Sequence, residues 1–163
     1  MLDIYKFLED NKIAYQRFDH SAVFTCEEAD LLDIEIPGVS TKNLFLRDKN
    51  GKRHFLVTVD KDKQVDFGKL KEILEVSKLS FGSPERLQKY LGLTPGSVTL
   101  LGVINDSDGV VEVIIDEEIW GQTLQCHPLI NTASLAIEHE EIKRFLDAAR
   151  HSPRIISISA KIV

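Results

Sequence analysis

KNLFLRDKNGKRHFLVTVD, residues 42–60, reads as two apolar runs around a polar turn. LFLRD and RHFLVTVD are rich in aromatic and branched side chains, and Asn50-Gly51 between them can take the positive φ angles of a tight turn. That pattern predicts a β-hairpin. Lys42 and Asn43 stand directly before the first run. A compact ammonium fixed beside a sheet suits a phosphate, although local pattern alone favours a solvated lysine at a strand entry. The Asn43 amide offers two donors and an acceptor to a hydroxyl or carbonyl, although asparagine is also common at strand starts for turn reasons. Neighbouring strand residues point to opposite faces, so one ligand meets both only where the backbone bends. PGVST, residues 37–41, supplies a candidate bend.

Outward from the hairpin, helices and short strands alternate irregularly. On the N-terminal side, Ile4, Phe7 and Leu8 fall at helical spacing over residues 2–10, and Asn11 ends that helix before the extended IAYQRF. Thr25 and Glu28 match a capping box that opens a short helix carrying Leu31 and Leu32. On the C-terminal side, Phe67, Leu70, Ile73 and Leu74 repeat with helical period, and Ser83-Pro84 opens another helix that stops at Gly92. Both helices are expected on one face of the sheet. SVTLLGVI, VVEVIID, TLQCHP and SLAIE read as successive strands with turn signals between them, followed by an amphipathic helix through Ile142, Phe145, Leu146 and Ala149 and a last strand in RIISIS. The expected fold is α+β: one domain over residues 1–163, with a twisted, mixed and mostly antiparallel sheet flanked by helices.

Charge and composition narrow the function classes. With 163 residues, 43% of them hydrophobic and 28% charged, the chain has the make-up of an ordinary globular protein. Its first residues carry acids and no secretory pattern, and no apolar run approaches the ~20 residues of a membrane span, so a cytoplasmic protein without membrane contact is expected. Cys26 and Cys126 lie far apart with no CxxC partner, which suggests neither a disulfide framework nor a zinc knuckle. The net charge of −6 argues against nonspecific wrapping of nucleic acid. Residues 42–89 nevertheless hold twelve Lys and Arg against seven Asp and Glu. That imbalance fits a basic face on an acidic body or simply solvated faces.

Two further stretches gather candidate chemistry. CHPLINTAS, residues 126–134, concentrates His127, Asn131, Thr132 and Ser134 between apolar strands, and Pro128 restrains His127 to extended geometry, so the imidazole is aimed by the backbone. A histidine that merely satisfies a backbone carbonyl fits the same pattern. YLGLTPGSVT, residues 90–99, brings Gly92, Pro95 and Gly96 to the approach of a strand, where a ligand can come close to the backbone or where a helix stop and a turn suffice. No phosphate-cradling glycine loop, HExxH or GxSxG elbow is present, and His20, His54, His139 and His151 show no metal spacing.

Taken together and in order, TKNLFLRDKNG, LSFGSPERLQKYLGLTPGSVT and HPLINTASLAI resemble the YbaK/ProX family of aminoacyl-tRNA editing domains, over nearly the whole chain. VFTCEEAD and IKRFLDAARHSPRII also resemble its free-standing branch, the alanyl-tRNA(Pro) deacylase or PrdX type, which is similar to the insertion domain of prolyl-tRNA synthetase. The resemblance implies hydrolysis, without a cofactor, of the ester joining a wrong amino acid to tRNA, here alanine on proline tRNA. Cysteine or serine as the amino acid, or a noncatalytic tRNA- or synthetase-binding module, are the alternatives. It further implies that Lys42 holds the phosphate or ribose of the terminal adenosine, that Asn43 orients the ester end, and that Thr41 lies beside them. Gly92, Pro95, Gly96 and Ser97 would form one wall of the amino-acid pocket, and His127, Pro128 and Asn131 another. The partner implied is the acceptor end of aminoacylated tRNA, with prolyl-tRNA synthetase or an elongation factor as candidates for delivery. One departure stands out: Leu100 and Leu101 follow GSVT where the family pattern leads one to expect a second proline, and Cys126 precedes His-Pro where another residue is common.

Overall fold

A computed structural model describes residues 2–20 and 35–162. The capping box at Thr25 and Glu28, the VFTCEEAD motif and Cys26 lie outside the described residues. The chain opens with α1, Ile4–Asp10, whose first amides are capped by the Asp3 carboxylate. β1 follows at Gln16–Asp19. The hairpin forms as expected from β2, Val39–Arg47, and β3, His54–Asp60. In its turn Gly51 alone takes a positive φ, 66°. The Asp48 carboxylate accepts from the amides of Lys52 and Arg53 and closes the turn in place of a two-residue Asn-Gly link.

Next come α2, Phe67–Ile73, the two-residue β4, Ser80–Phe81, and α3, Pro84–Leu91. Ser83 caps α3, Pro84 occupies its first turn, and Gly92 ends it at φ 66° with its amide donating to the Gln88 carbonyl at 3.0 Å. β5 spans Val111–Asp116, β6 Leu124–Cys126 and β7 Ala133–Ile137, before α4, His139–Ala148, and β8, Arg154–Ile156.

SVTLLGVI departs from its reading as a strand. Residues Leu100–Asn105 form a 3₁₀ helix, started by the Thr99 hydroxyl, which accepts from the Leu101 amide. A short apolar run bounded by turn signals has no periodicity to separate strand from buried helix, and the cap decides it. Leu100 and Leu101, which replace the expected proline, are fully buried here as core residues.

The strands form one mixed sheet in the order β1-β7-β6-β2-β3-β5-β8, with β4 added on β2. Pairing is antiparallel for β1/β7, β6/β7, β2/β3 and β2/β4 and parallel for β2/β6, β3/β5 and β5/β8. The antiparallel excess is therefore slight. Because side chains alternate along each strand, the sheet separates two cores. Phe45, Leu56, Val113 and Ile115 join the larger one with Leu87 and Leu91 of α3 and Phe145 of α4. Leu46, Phe55, Val57 and Ile114 join the other with Leu70 of α2. α2 and α3 thus cover opposite faces, not one face as their similar patterns suggested.

Strand β2 is the pivot of the sheet. One edge pairs with β3 along its length, while the other pairs with β6 only at Val39 and Ser40 and with β4 only at Leu46 and Arg47. Between those contacts, residues 41–45 have no strand partner on that edge among the described residues. The candidate site lies at this gap.

Candidate active site at the gap in the sheet

The β2/β3 register runs from Thr41 opposite Asp60 to Arg47 opposite His54 without a bulge. The bend that would aim Lys42 and Asn43 at one ligand is absent, so strand alternation sends them to opposite faces. Asn43 stands opposite Thr58 on the face of the larger core, and the buried Thr58 hydroxyl donates to its Oδ1 at 2.7 Å. Thr41 shares that face and donates its hydroxyl to the Gln125 carbonyl at 2.7 Å, which ties β2 to β6. Lys42 stands on the other face, half-buried, and among the described residues its ammonium has neither an ion pair nor a hydrogen bond.

The face that carries Lys42 continues across β6, β7 and β1. Ser40 is level with Gln125, Gln125 with Ala136, and Ser134 with Phe18. Ser134 is buried, and its Oγ lies 2.8 Å from Nε2 of His20, just past the end of β1. The His20 and His127 rings meet edge to face at 6.4 Å between centroids. His127 Nδ1 lies 3.1 Å from the Ala133 carbonyl, which can only accept, so Nδ1 carries the proton and Nε2 presents a lone pair. Burial, opposed in part by that hydrogen bond, holds the His127 imidazole below the usual histidine range and therefore neutral.

The loop from His127 to Thr132 is tightly constrained. The His20 amide donates to the Thr132 carbonyl at 2.9 Å, and Leu129 is held at φ 68°. Pro128 and Asn131 are buried while Ile130 is 47% exposed. The amide nitrogen of Asn131 is buried without a hydrogen-bond partner among the described residues. Cys126, immediately before the loop, packs in the larger core, and burial pushes its thiol up to about 12, which makes it an inert filler.

The TPG segment reaches the same loop through one bond. Thr94-Pro95-Gly96-Ser97 closes a turn with the Ser97 amide donating to the Thr94 carbonyl at 3.1 Å and Gly96 at φ 89°. Two residues on, the buried Thr99 hydroxyl donates to the His127 carbonyl at 2.8 Å. That bond ties the segment following the Thr94–Ser97 turn to the loop that carries Pro128 and Asn131. Gly92 has a local role as the end of α3.

Ser134 stands out in the sequence beside His127, but His20 and Thr99 lie in unremarkable local patterns, and only the β1/β7 pairing and the Thr99 bond bring them to that loop. Part of the charge of residues 42–89 is consumed internally: Lys63 pairs with Asp116 and Glu118, Arg53 with Glu112, and Arg86 donates to His54 and to the Gly51 carbonyl.

A family model described as "Aminoacyl-tRNA editing domain" matches residues 20–145, which include every strand from β2 to β7 and all three site segments. The chain belongs to the aminoacyl-tRNA editing domain family. It is 39% identical over 152 residues to the prolyl-tRNA editing protein ProX of Acetoanaerobium sticklandii, covering 93% of each chain. It is 34% identical to the prolyl-tRNA synthetase associated domain-containing protein 1 of Danio rerio, over 95% of this chain and 85% of that one. A crystal structure described as a candidate trans-editing enzyme for prolyl tRNA synthetase superposes with a TM-score of 0.70 at 16% identity, over 98% of this chain and 96% of that chain. This editing domain is accordingly a deacylase, with the mixed sheet of its family. No helix among the described residues is long and apolar enough to cross a membrane.

Proposed function

We propose that this editing domain removes alanine from proline tRNA, acting in the cytoplasm on tRNA released or handed over by prolyl-tRNA synthetase or an elongation factor. The observation that carries the site assignment is the Lys42 ammonium, without a partner among the described residues, at the gap in β2 on the sheet face of Ser134 and the His20–His127 pair. A cation held beside a sheet without a protein anion suits the phosphate or ribose of a terminal adenosine. The names of the relatives, which refer to prolyl-tRNA, support proline tRNA as the carrier.

Aminoacyl esters are already activated, so holding the ester, a water and the free ribose hydroxyl in register accounts for most of what the reaction needs. His127, neutral with Nε2 as an acceptor, is suited to receive a hydrogen bond from that hydroxyl or from the substrate's ammonium. The Pro95-Gly96 turn and the His127–Asn131 loop, joined through Thr99, give a wall with little room for adjustment. Exclusion by such a wall discriminates better than attraction, because an added methylene in a pocket is worth only about 1–3 kcal/mol. Proline is thus kept out while alanine enters. Asn43 contributes from behind, holding β2 against Thr58 so that Lys42 keeps its position.

Deacylation of alanyl-, cysteinyl- and seryl-proline tRNA, with uncharged proline tRNA as a binding control, tests the reading. Alanyl-tRNA is expected to react about tenfold or more faster than the other two. Equal rates on alanyl and cysteinyl substrates defeat the alanine assignment, and hydrolysis of none of them defeats the whole reading.

A further inference from the structure

The loop after His127 concentrates features that a purely structural connection avoids. Leu129, a branched residue, is held in left-handed backbone at φ 68°. Ile130 presents 47% of its surface to solvent. Asn131, only 9% exposed, buries an amide nitrogen that no acceptor among the described residues meets. Buried donors are almost always satisfied, and strained backbone gathers where a ligand is held. Around the loop, His127 is bonded to the Ala133 carbonyl, Ser134 to His20, and Thr99 to the His127 carbonyl. Among the buried side-chain groups at the loop, within the described residues, the Asn131 amide is the neutral donor left over.

We infer that Asn131 is a catalytic residue whose amide N–H receives the negative charge that develops on the ester carbonyl oxygen during deacylation. This rests on the reading of the site as the editing centre. Water adds to the carbonyl carbon, the π pair moves onto the carbonyl oxygen, and the Asn131 amide donates to that oxyanion. The pair then returns to re-form the carbonyl, the bond to the ribose oxygen breaks, and a proton from the attacking water ends on that oxygen. The free amino acid and tRNA are released. A donor unsatisfied before substrate arrives is an efficient one here, since no hydrogen bond has to be broken at the moment charge appears.

Asn131→Ala and the near-isosteric Asn131→Asp, which presents no donor when ionised, test the inference in single-turnover deacylation of alanyl-proline tRNA alongside thermal unfolding. Both variants are expected to lose about 10²–10³-fold in kcat with KM within about twofold of the wild type. The Tm of Asn131→Ala is expected to stay level or rise, because no hydrogen bond is lost. Retention of kcat within about threefold in Asn131→Ala overturns the inference. So does a marked fall in Tm or failure to fold, which would show an amide bonded within the loop. In either case a wild-type protein that remains active leaves the editing assignment standing, whereas an inactive wild type removes that assignment itself.

Discussion

Lys42 and Asn43, adjacent in the chain, stand on opposite faces of an unbulged strand, Lys42 with an ammonium that meets no hydrogen-bond or ion-pair partner among the described residues and Asn43 bonded to the buried Thr58 hydroxyl. On the proposed reading Lys42 serves the ligand and Asn43 the scaffold, so their variants should fail in different ways. Lys42→Ala removes the charge and, among the described residues, breaks no hydrogen bond or ion pair. Deacylation of alanyl-proline tRNA is expected to fall by at least about 10²-fold, the scale on which misplacing a reacting group costs rate. The Tm should move by no more than about 1–2 °C, as for a substitution that breaks no named interaction. Full activity in this variant removes Lys42 from the site.

For Asn43 the larger effect is on stability. Asn43→Ala leaves the fully buried Thr58 hydroxyl without its acceptor, at a cost of about 1–3 kcal/mol. At about 2–4 °C per kcal/mol for a chain of this size, the Tm falls by several degrees. Thr58→Val in the same background removes the stranded donor and should restore part of the loss, so the double variant is less destabilised than the two single effects added together. An unchanged Tm in Asn43→Ala would show that the Thr58 bond contributes nothing.

The legible parts of this protein were those whose signal is local. Ser83-Pro84 and Gly92 bound α3, Gly51 sits in the hairpin turn, and the VVEVIID run becomes β5. The 3₁₀ helix at Leu100–Asn105 was hidden because an all-apolar run has no period, and the deciding bond comes from the Thr99 hydroxyl. The two-sided covering by α2 and α3 was hidden as well. Amphipathic helices state that a face is buried, but not which side of a sheet buries it. At the site, Lys42 and His127 were visible as residue types in suggestive company. The Ser134–His20 pair was not, since it spans 114 residues and exists only through strand pairing. A loop bend that could join Lys42 and Asn43 was legible in PGVST, yet the continuous register with β3 overrides it.

His127 should carry the acid limb of the pH profile. Burial first, and the neighbouring His20 in smaller measure, lower its proton affinity below the ordinary value of 6.5, against the raising effect of the Ala133 hydrogen bond. The ring is consequently neutral at and above pH 6.5, and the proposed acceptor at Nε2 is lost only when the pH falls through the lowered value. The expected kcat profile is flat on the alkaline side of 6.5 as far as His127 is concerned and falls on acidification. An NMR titration of the His127 ring checks the assignment directly, and a midpoint above 6.5 would contradict it.

The opposite sign applies at His151, far from the proposed chemistry. Its Nε2 lies 2.8 Å from Asp106 Oδ2 and its Nδ1 2.7 Å from the Ala149 carbonyl. Both partners are acceptors, so both ring nitrogens carry protons and the buried ring is an imidazolium. Burial opposes that charge, but the Asp106 and Ala149 hydrogen bonds outweigh it and raise the His151 value above 6.5. Burial likewise opposes ionisation of Asp106, and His151 with the Val110 and Val111 amides more than compensates, lowering it below 3.8. The sign follows for each partner. The His151 contribution is complete below pH 6.5 and fades as the pH rises through its raised value, whereas the Asp106 contribution is complete above pH 3.8 and fades as the pH falls through its lowered value. Because the pair joins the end of the 3₁₀ helix and the start of β5 to the segment after α4, its loss should be felt by the whole fold. His151→Ala strands a buried carboxylate and is expected to cost about 3–5 kcal/mol near pH 6. The difference in Tm between wild type and variant should then shrink as the pH is raised, read by calorimetry across pH 5–9. A difference that stays constant over that range would show that His151 is neutral in the folded protein.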